Sequence, residues 1–273
     1  MQSRPIGIFD SGFGGLTVFK AIKDKLPGYD YVYLGDNARA PYGDRSLQTV
    51  YEYTLEAVEY LFSIGCPIII LACNTASAKA LRNIQVKDLP AMGAEKRVLG
   101  IIRPSAEVIG EYTKTRSIGI VGTRGTVSSN SYVIEIQKQY PDIQVYQQAC
   151  PMWVSLIEND EHNSDNADYF IKKDLDELLA KSTEIDTILL GCTHYPLLID
   201  KIRKYVPAHI NIVQQGGIVA ESFADYLQRH PEIEQQITKG NSTNFYTTDD
   251  TDNFDNHASI FFGDTVRSQH VHL

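Results

Sequence analysis

Apolar runs of strand length alternate with amphipathic stretches of helical period along nearly the whole chain, and a chain with that grammar has few ways to fold. Residues 5–9, 29–34, 67–72, 97–102, 116–121, 143–146 and 185–190 read as strands, several of them rich in β-branched side chains. Residues 16–25 and 47–62 carry apolar side chains at helical spacing, and another helix is expected to begin near Thr75. Strands separated by helices pair in parallel, because each helix carries the chain back along the sheet. The predicted fold class is therefore α/β with mainly parallel sheets. The tail from residue 210 adds a helical stretch at 218–229, late strands near 244–247 and 260–262, and a polar loop at 249–256.

Parallel sheets collect their functional residues at the carboxyl ends of the strands, so the residues just after each apolar run are the informative ones. Ile6-Gly7-Ile8-Phe9 leads into Asp10-Ser11-Gly12, and Ile68-Ile69-Ile70-Leu71-Ala72 leads into Cys73-Asn74-Thr75. Further on, Ile118-Gly119-Ile120-Val121 leads into Gly122-Thr123-Arg124-Gly125, and Ile188-Leu189-Leu190-Gly191 leads into Cys192-Thr193-His194. The order is the same both times, with 66 residues from Gly7 to Cys73 and 73 from Gly119 to Cys192. This echo reads as a degenerate duplication: two similar α/β domains, pseudo-twofold related, with the active site between them. Pro90, Gly93 and the charged residues of 87–96 interrupt the pattern, and a second break falls near Pro207. The expected division is residues 1–95 plus 210–273 for the first domain and 96–209 for the second.

The two strand-end cysteines carry the strongest chemical signal. A thiolate is a competent base or nucleophile, and an unperturbed thiol titrates near a pKa of about 8.5. A helix N-terminus lowers that value, and both Cys73 and Cys192 stand where a helix is expected to begin. The polar residues that follow, Asn74-Thr75 and Thr193-His194, could hold a carboxylate. Cys66 and Cys150 lack such a setting and are read as small structural side chains. Two thiols in matching contexts suit a near-symmetric reaction such as racemisation at Cα, each serving as base in one direction and acid in the other. No Lys stands at a strand end to hold pyridoxal phosphate, so no cofactor is expected. Oriented N–H groups and polar side chains would then stabilise the carbanion.

Gly12-Phe13-Gly14-Gly15 invites a nucleotide-binding reading, with Asp36 suitably spaced for a ribose. The third glycine of that fingerprint belongs at position 17, which is Thr17. The glycines are read instead as letting backbone N–H groups approach a small anion. The formal net charge of −9 argues against nucleic acid and anionic membranes as partners, and the longest apolar stretch is far too short to span a bilayer. Met1-Gln2-Ser3-Arg4-Pro5 shows no apolar leader core or cleavage site, so a cytoplasmic location and four free thiols are expected. No paired Cys/His spacing suggests a metal.

Five motifs resemble those of the bacterial glutamate racemases, within the aspartate/glutamate racemase family. They are Asp10-Ser11-Gly12-Phe13-Gly14-Gly15-Leu16, Leu34-Gly35-Asp36-Asn37-Ala38-Arg39-Ala40-Pro41-Tyr42-Gly43, Ala72-Cys73-Asn74-Thr75-Ala76-Ser77, Gly119-Ile120-Val121-Gly122-Thr123 and Leu190-Gly191-Cys192-Thr193-His194-Tyr195-Pro196-Leu197. The resemblance implies interconversion of L- and D-glutamate without pyridoxal phosphate or metal, D-glutamate for peptidoglycan synthesis, and a homodimer. It implies that Cys73 takes the proton from D-glutamate and Cys192 from L-glutamate, assisted by Asp10 and His194. Ser11, Pro41, Tyr42, Gly43, Asn74, Thr75, Thr123 and Thr193 would line the substrate pocket. The family's acidic pocket residue maps to Glu158, with Glu161 as the alternative, and Asp36 is either a supporting residue or only a turn residue. Read from the residues alone, a racemase of aspartate or another small carboxylate and a non-catalytic amino-acid sensor stay open.

Overall fold

The structure, a computed structural model, describes residues 4–273; Met1, Gln2 and Ser3, on which the leader reading partly rests, lie outside the described residues. The strands are β1 (Ile6–Asp10), β2 (Tyr31–Gly35), β3 (Ile68–Leu71), β4 (Arg97–Gly100), β5 (Ser117–Gly122), β6 (Gln144–Ala149), β7 (Thr187–Gly191), β8 (Asn211–Val213), β9 (Thr243–Thr247) and β10 (Ser268–His270). They form a six-stranded sheet, β10-β9-β2-β1-β3-β4, and a four-stranded sheet, β6-β5-β7-β8. Every pairing is parallel, so the predicted α/β class holds. The run β2-β1-β3-β4 repeats as β6-β5-β7-β8, which is the order a duplicated unit would give. β9 and β10 have no counterpart.

The central strands β1, β2, β3, β5 and β7 are covered on both faces, which is why these segments read as unbroken apolar runs. Ile6, Ile8, Tyr31, Tyr33, Ile68 and Ile70 enter one core, while Phe9, Val32, Leu34, Ile69 and Leu71 enter another. The first of these cores continues into Val121, Ile188 and Leu190 of the smaller sheet, so the two sheets share one apolar cluster. Ile118, Ile120, Leu189 and Val213 bury the opposite face. Helix α1 (Gly15–Lys25) turns Leu16, Val18, Phe19 and Ile22 inward. Helix α2 (Leu47–Ser63) starts where Ser46 Oγ accepts the Thr49 N–H, an ordinary N-cap. Helix α3 (Asn74–Lys79) starts directly after Cys73. No helix among the described residues is long and apolar enough to cross a membrane.

Two readings of the tail are corrected. Residues 260–262 are not a strand, and most of the supposed polar loop at 249–256 is helical: both belong to the helix Thr251–Phe262. Asp250 caps it, Phe254, Ala258 and Phe261 lie on its buried face at helical spacing, and Gly263 ends it in the left-handed region. The last strand is Ser268–His270 instead. The sheets also change a few residues beyond the expected junctions at 95/96 and 209/210. β4 pairs with β3 in the larger sheet, and β8 pairs with β7 in the smaller. The Pro90 and Gly93 interruption belongs to the crossover that leads into β4. We propose that the domain division follows the sheets, with its junctions after β4 and after β8.

Gln215 follows β8 at the start of the helix Gln215–Arg229 and is 4% exposed. Its Nε2 donates to the Tyr132 hydroxyl (2.7 Å), that hydroxyl donates to Asn74 Oδ1 (2.6 Å), and Asn74 Nδ2 donates back to Gln215 Oε1 (2.8 Å). This closed ring ties α3 of the larger sheet to the smaller one beside the candidate site. Replacing Gln215 by Leu leaves buried donors and acceptors on Asn74 and Tyr132 without partners. The expected cost is about 2–3 kcal/mol, read as a lower urea midpoint at unchanged slope.

Candidate active site

Cys73 sits between the end of β3 and the start of α3. Its Sγ accepts the Ala76 N–H at 3.4 Å and lies 3.4 Å from Ser11 Oγ. Burial pushes this thiol up to about 12, with the neighbouring Asp10 charge adding to the shift and the contacts to Ser11 and Ala76 opposing it. The lowering expected from the helix start is therefore outweighed. Asp10, at the end of β1, accepts the Gly12 N–H on Oδ2 at 2.9 Å, and its buried Oδ1 has no partner. Burial holds this carboxyl above its ordinary range, against the pull of His194.

Cys192 occupies the equivalent place after β7, but no helix starts there. A short 3₁₀ turn, Tyr195–Leu198, comes first, so the helix-start argument fails for this thiol. Its Sγ lies 3.9 Å from His194 Nδ1, and His194 Nε2 lies 3.0 Å from Glu158 Oε1. Burial disfavours the imidazolium, yet the hydrogen bonds to Cys192 and Glu158 outweigh it and hold His194 well above its ordinary pKa. One thiol thus faces a carboxyl and the other faces an imidazole whose pKa is held up.

The glycine run turns the Gly12 N–H to the Asp10 carboxyl, and its missing side chains also permit close packing. A methyl group on Gly14 would lie 2.3 Å from His194 Nδ1 and 2.5 Å from Thr193 Oγ1, and one on Gly15 would lie 2.5 Å from Asp10 Cβ. Gly14 lets the two halves of the site approach each other, while Gly15 lets α1 pack against Asp10 within its own half. Thr17, at the position a nucleotide fingerprint gives to glycine, sets its hydroxyl 2.9 Å from both the Gly14 and Thr193 carbonyls. Asp36 is fully buried and lies behind the pocket rather than in its wall. It accepts from the Tyr42 hydroxyl, from Arg39 Nε at 2.7 Å and from Thr248 Oγ1 at 2.8 Å, so it fixes Tyr42.

A cavity of about 40 Å³ opens between the sheets. Ser11, Pro41, Tyr42, Gly43, Cys73, Asn74, Thr75, Thr123, Cys192, Thr193 and His194 all line it, and so does Glu158. Glu161 instead lies in the exposed turn Glu161–Asn163, so of the two glutamates Glu158 alone lines the cavity. Thr75 and Thr123 meet across the sheets at 3.0 Å. Asp44, Arg124, Pro151, Val154 and Ser155 also line the cavity, none of which the sequence reading selected. Cys150, expected to be structural, lines it too, whereas Cys66 packs under Gly7. The missed signal was positional, since Cys150-Pro151 follows β6 at the same sheet edge as the other site residues. All four cysteines are free and buried.

Two parallel sheets that each deliver one strand-end thiol to a shared pocket define the architecture of an amino-acid racemase. The chain belongs to the Asp/Glu/hydantoin racemase family, whose model matches residues 14–220. Within it, the chain groups with the glutamate racemases. It is 37% identical over 271 residues to glutamate racemase of a Sulfurihydrogenibium species, covering 98% of this chain and 97% of the relative. It is 38% identical over 269 residues to that of Persephonella marina, covering 98% and 97%. Among solved structures, a glutamate racemase isoform from Bacillus anthracis superposes with a TM-score of 0.89 at 32% identity, covering 100% of this chain and 99% of that one. The Francisella tularensis glutamate racemase in complex with D-glutamate gives 0.87 at 29% identity, covering 100% and 98%.

Two outcomes follow from the charge balance. Alkylation of Cys73 should climb about tenfold per pH unit from pH 7 to 10, because the thiol stays mostly protonated throughout; mass spectrometry of the labelled peptide reads this, and a plateau below pH 9 would contradict it. Asp10→Asn should raise stability by about 1 kcal/mol at pH 8 while lowering turnover. The sign follows from the raised folded-state pKa of Asp10: its contribution is fully present below the unfolded value and is lost as pH rises through the folded one. Thermal melts of the two proteins at pH 8 check it.

Proposed function

We propose that the protein interconverts L- and D-glutamate by a two-base mechanism in which Cys73 and Cys192 act on opposite faces of Cα. The observation that carries this reading is the pair of buried thiols, one from each sheet, on one small pocket. Asn74, Thr75, Thr123 and Thr193 supply hydroxyl and amide donors for the substrate α-carboxylate, where negative charge accumulates as the α-proton leaves.

With D-glutamate bound, Cys73 abstracts the α-proton and the Cys192 thiol returns one on the other face; L-glutamate reverses the roles. Asp10, with its raised carboxyl pKa, is matched to exchanging a proton with the Cys73 thiol. His194, held cationic by Glu158, supplies or recovers the proton at Cys192. Each thiol thus has its own relay, and the site's own residues carry both proton transfers, so the reading calls for no cofactor and no metal. Carried further, it places the enzyme in the cytoplasm as a homodimer supplying D-glutamate for peptidoglycan.

The test is α-proton exchange in deuterated water with each enantiomer, using wild type, Cys73→Ser and Cys192→Ser. Racemisation by wild type with deuterium at Cα, reduced at least about a thousandfold by either substitution, is the expected result. Racemisation retained by either variant would sink the two-base assignment. Turnover of aspartate with none of glutamate would move the substrate assignment to the shorter dicarboxylate.

A further inference from the structure

Among the residues lining the pocket, Arg124 carries the one permanent positive charge. It begins the helix Arg124–Ser128 after β5, while Asp44 lies opposite in the segment leading to α2. Arg124 Nη1 is 3.3 Å from Asp44 Oδ1, and the two side chains are 63% and 56% exposed. Beside this pair, the Gly125 N–H donates to the Gly43 carbonyl at 2.8 Å, and Lys79 Nζ donates to the Arg45 carbonyl at 2.6 Å. Segments 43–45 and 123–125 therefore meet at the rim of the pocket, one from each sheet.

The ion pair is solvated and screened, so it holds the rim only weakly. Its arginine is free to exchange one carboxylate for another, and its planar fork suits a carboxylate better than the ammonium of a lysine would. A dicarboxylate amino acid is an anion approaching a protein of net charge −9, so a local cation at the rim has a larger effect on its arrival than on a neutral ligand. The thiols that must reach Cα lie deep, 5% and 6% exposed. A ligand whose Cα lies between them would leave the group farthest from Cα nearest the rim.

We propose that Arg124 is the capture residue for the distal carboxylate of the substrate, exchanging Asp44 for it as the ligand passes beneath segment 43–45, with Asp44 as the built-in competitor. This rests on the glutamate reading above. It assigns opposite signs to the two partners of one ion pair, which a purely structural latch does not.

The experiment combines steady-state kinetics with L-glutamate and calorimetric binding of D-glutamate, from 10 to 300 mM NaCl on the order-of-magnitude range over which screening sets in. The proteins are wild type, Arg124→Gln and Asp44→Asn. Arg124→Gln should raise KM and Kd about tenfold, keep kcat within about twofold, and flatten the salt dependence. Asp44→Asn should lower KM and Kd about threefold at low salt and converge on wild type at high salt. Unchanged KM and Kd in Arg124→Gln, a fall in kcat alone, or a rise in KM for Asp44→Asn matching that of Arg124→Gln would overturn the assignment. A wild type that binds glutamate without racemising it would sink the two-base reading, while the binding constants would still decide the role of Arg124.

Discussion

Charge is costly where the two sulfurs lie, and the rest of the site is arranged around that cost. Cys73 and Cys192 are nearly inaccessible to water, so an ion formed on either must be compensated by protein groups already in place. The compensation differs between the halves. Cys73 has the Asp10 carboxyl as a neighbour, and Cys192 has an imidazole whose pKa is held up by its hydrogen bonds to Cys192 and Glu158. The repeat is thus one of backbone order, and the side chains around the two thiols differ.

Holding such a site between two sheets requires their relative position to be fixed at the level of single hydrogen bonds. The shared apolar cluster supplies most of the adhesion but little directionality. Register comes from polar contacts within it: the ring of Asn74, Tyr132 and Gln215, and the hydroxyl pair Thr75 and Thr123. Close approach at Gly14, where even a methyl would collide with His194 and Thr193, sets how near the halves can come. Asn74 contributes both to the ring and to the pocket wall, so the shape of the pocket and the register of the sheets depend on one side chain.

Most of the fold was legible because both faces of each central strand are buried, leaving apolar runs that composition alone exposes. The strand ends were legible for the same reason, and Cys73, Cys192, Asp10 and His194 all come from that rule. The helix Thr251–Phe262 was misread because Ile260, Phe261 and Phe262 look like a strand in isolation; only the spacing to Phe254 and Ala258 and the Asp250 cap reveal a helix. The sign of the Cys73 shift was not legible, since a helix start and a buried site push in opposite directions and only the degree of enclosure decides between them. Glu158 and Arg124 depend on which loops meet across the cleft. That is a long-range property, and local periodicity carries no trace of it.

The larger sheet is finished by the last part of the chain. β9 lies against β2, and β10 lies against β9, yet the whole smaller sheet is encoded between β4 and β9. On the ribosome, β2 must wait with one edge unpaired while about 200 residues are added, which takes on the order of tens of seconds. During that interval its backbone donors and acceptors present an open template to other nascent chains. The order of synthesis therefore places the hazard of misassembly in the half of the molecule that is made first, and a truncated product ending before Thr243 would carry that open edge permanently.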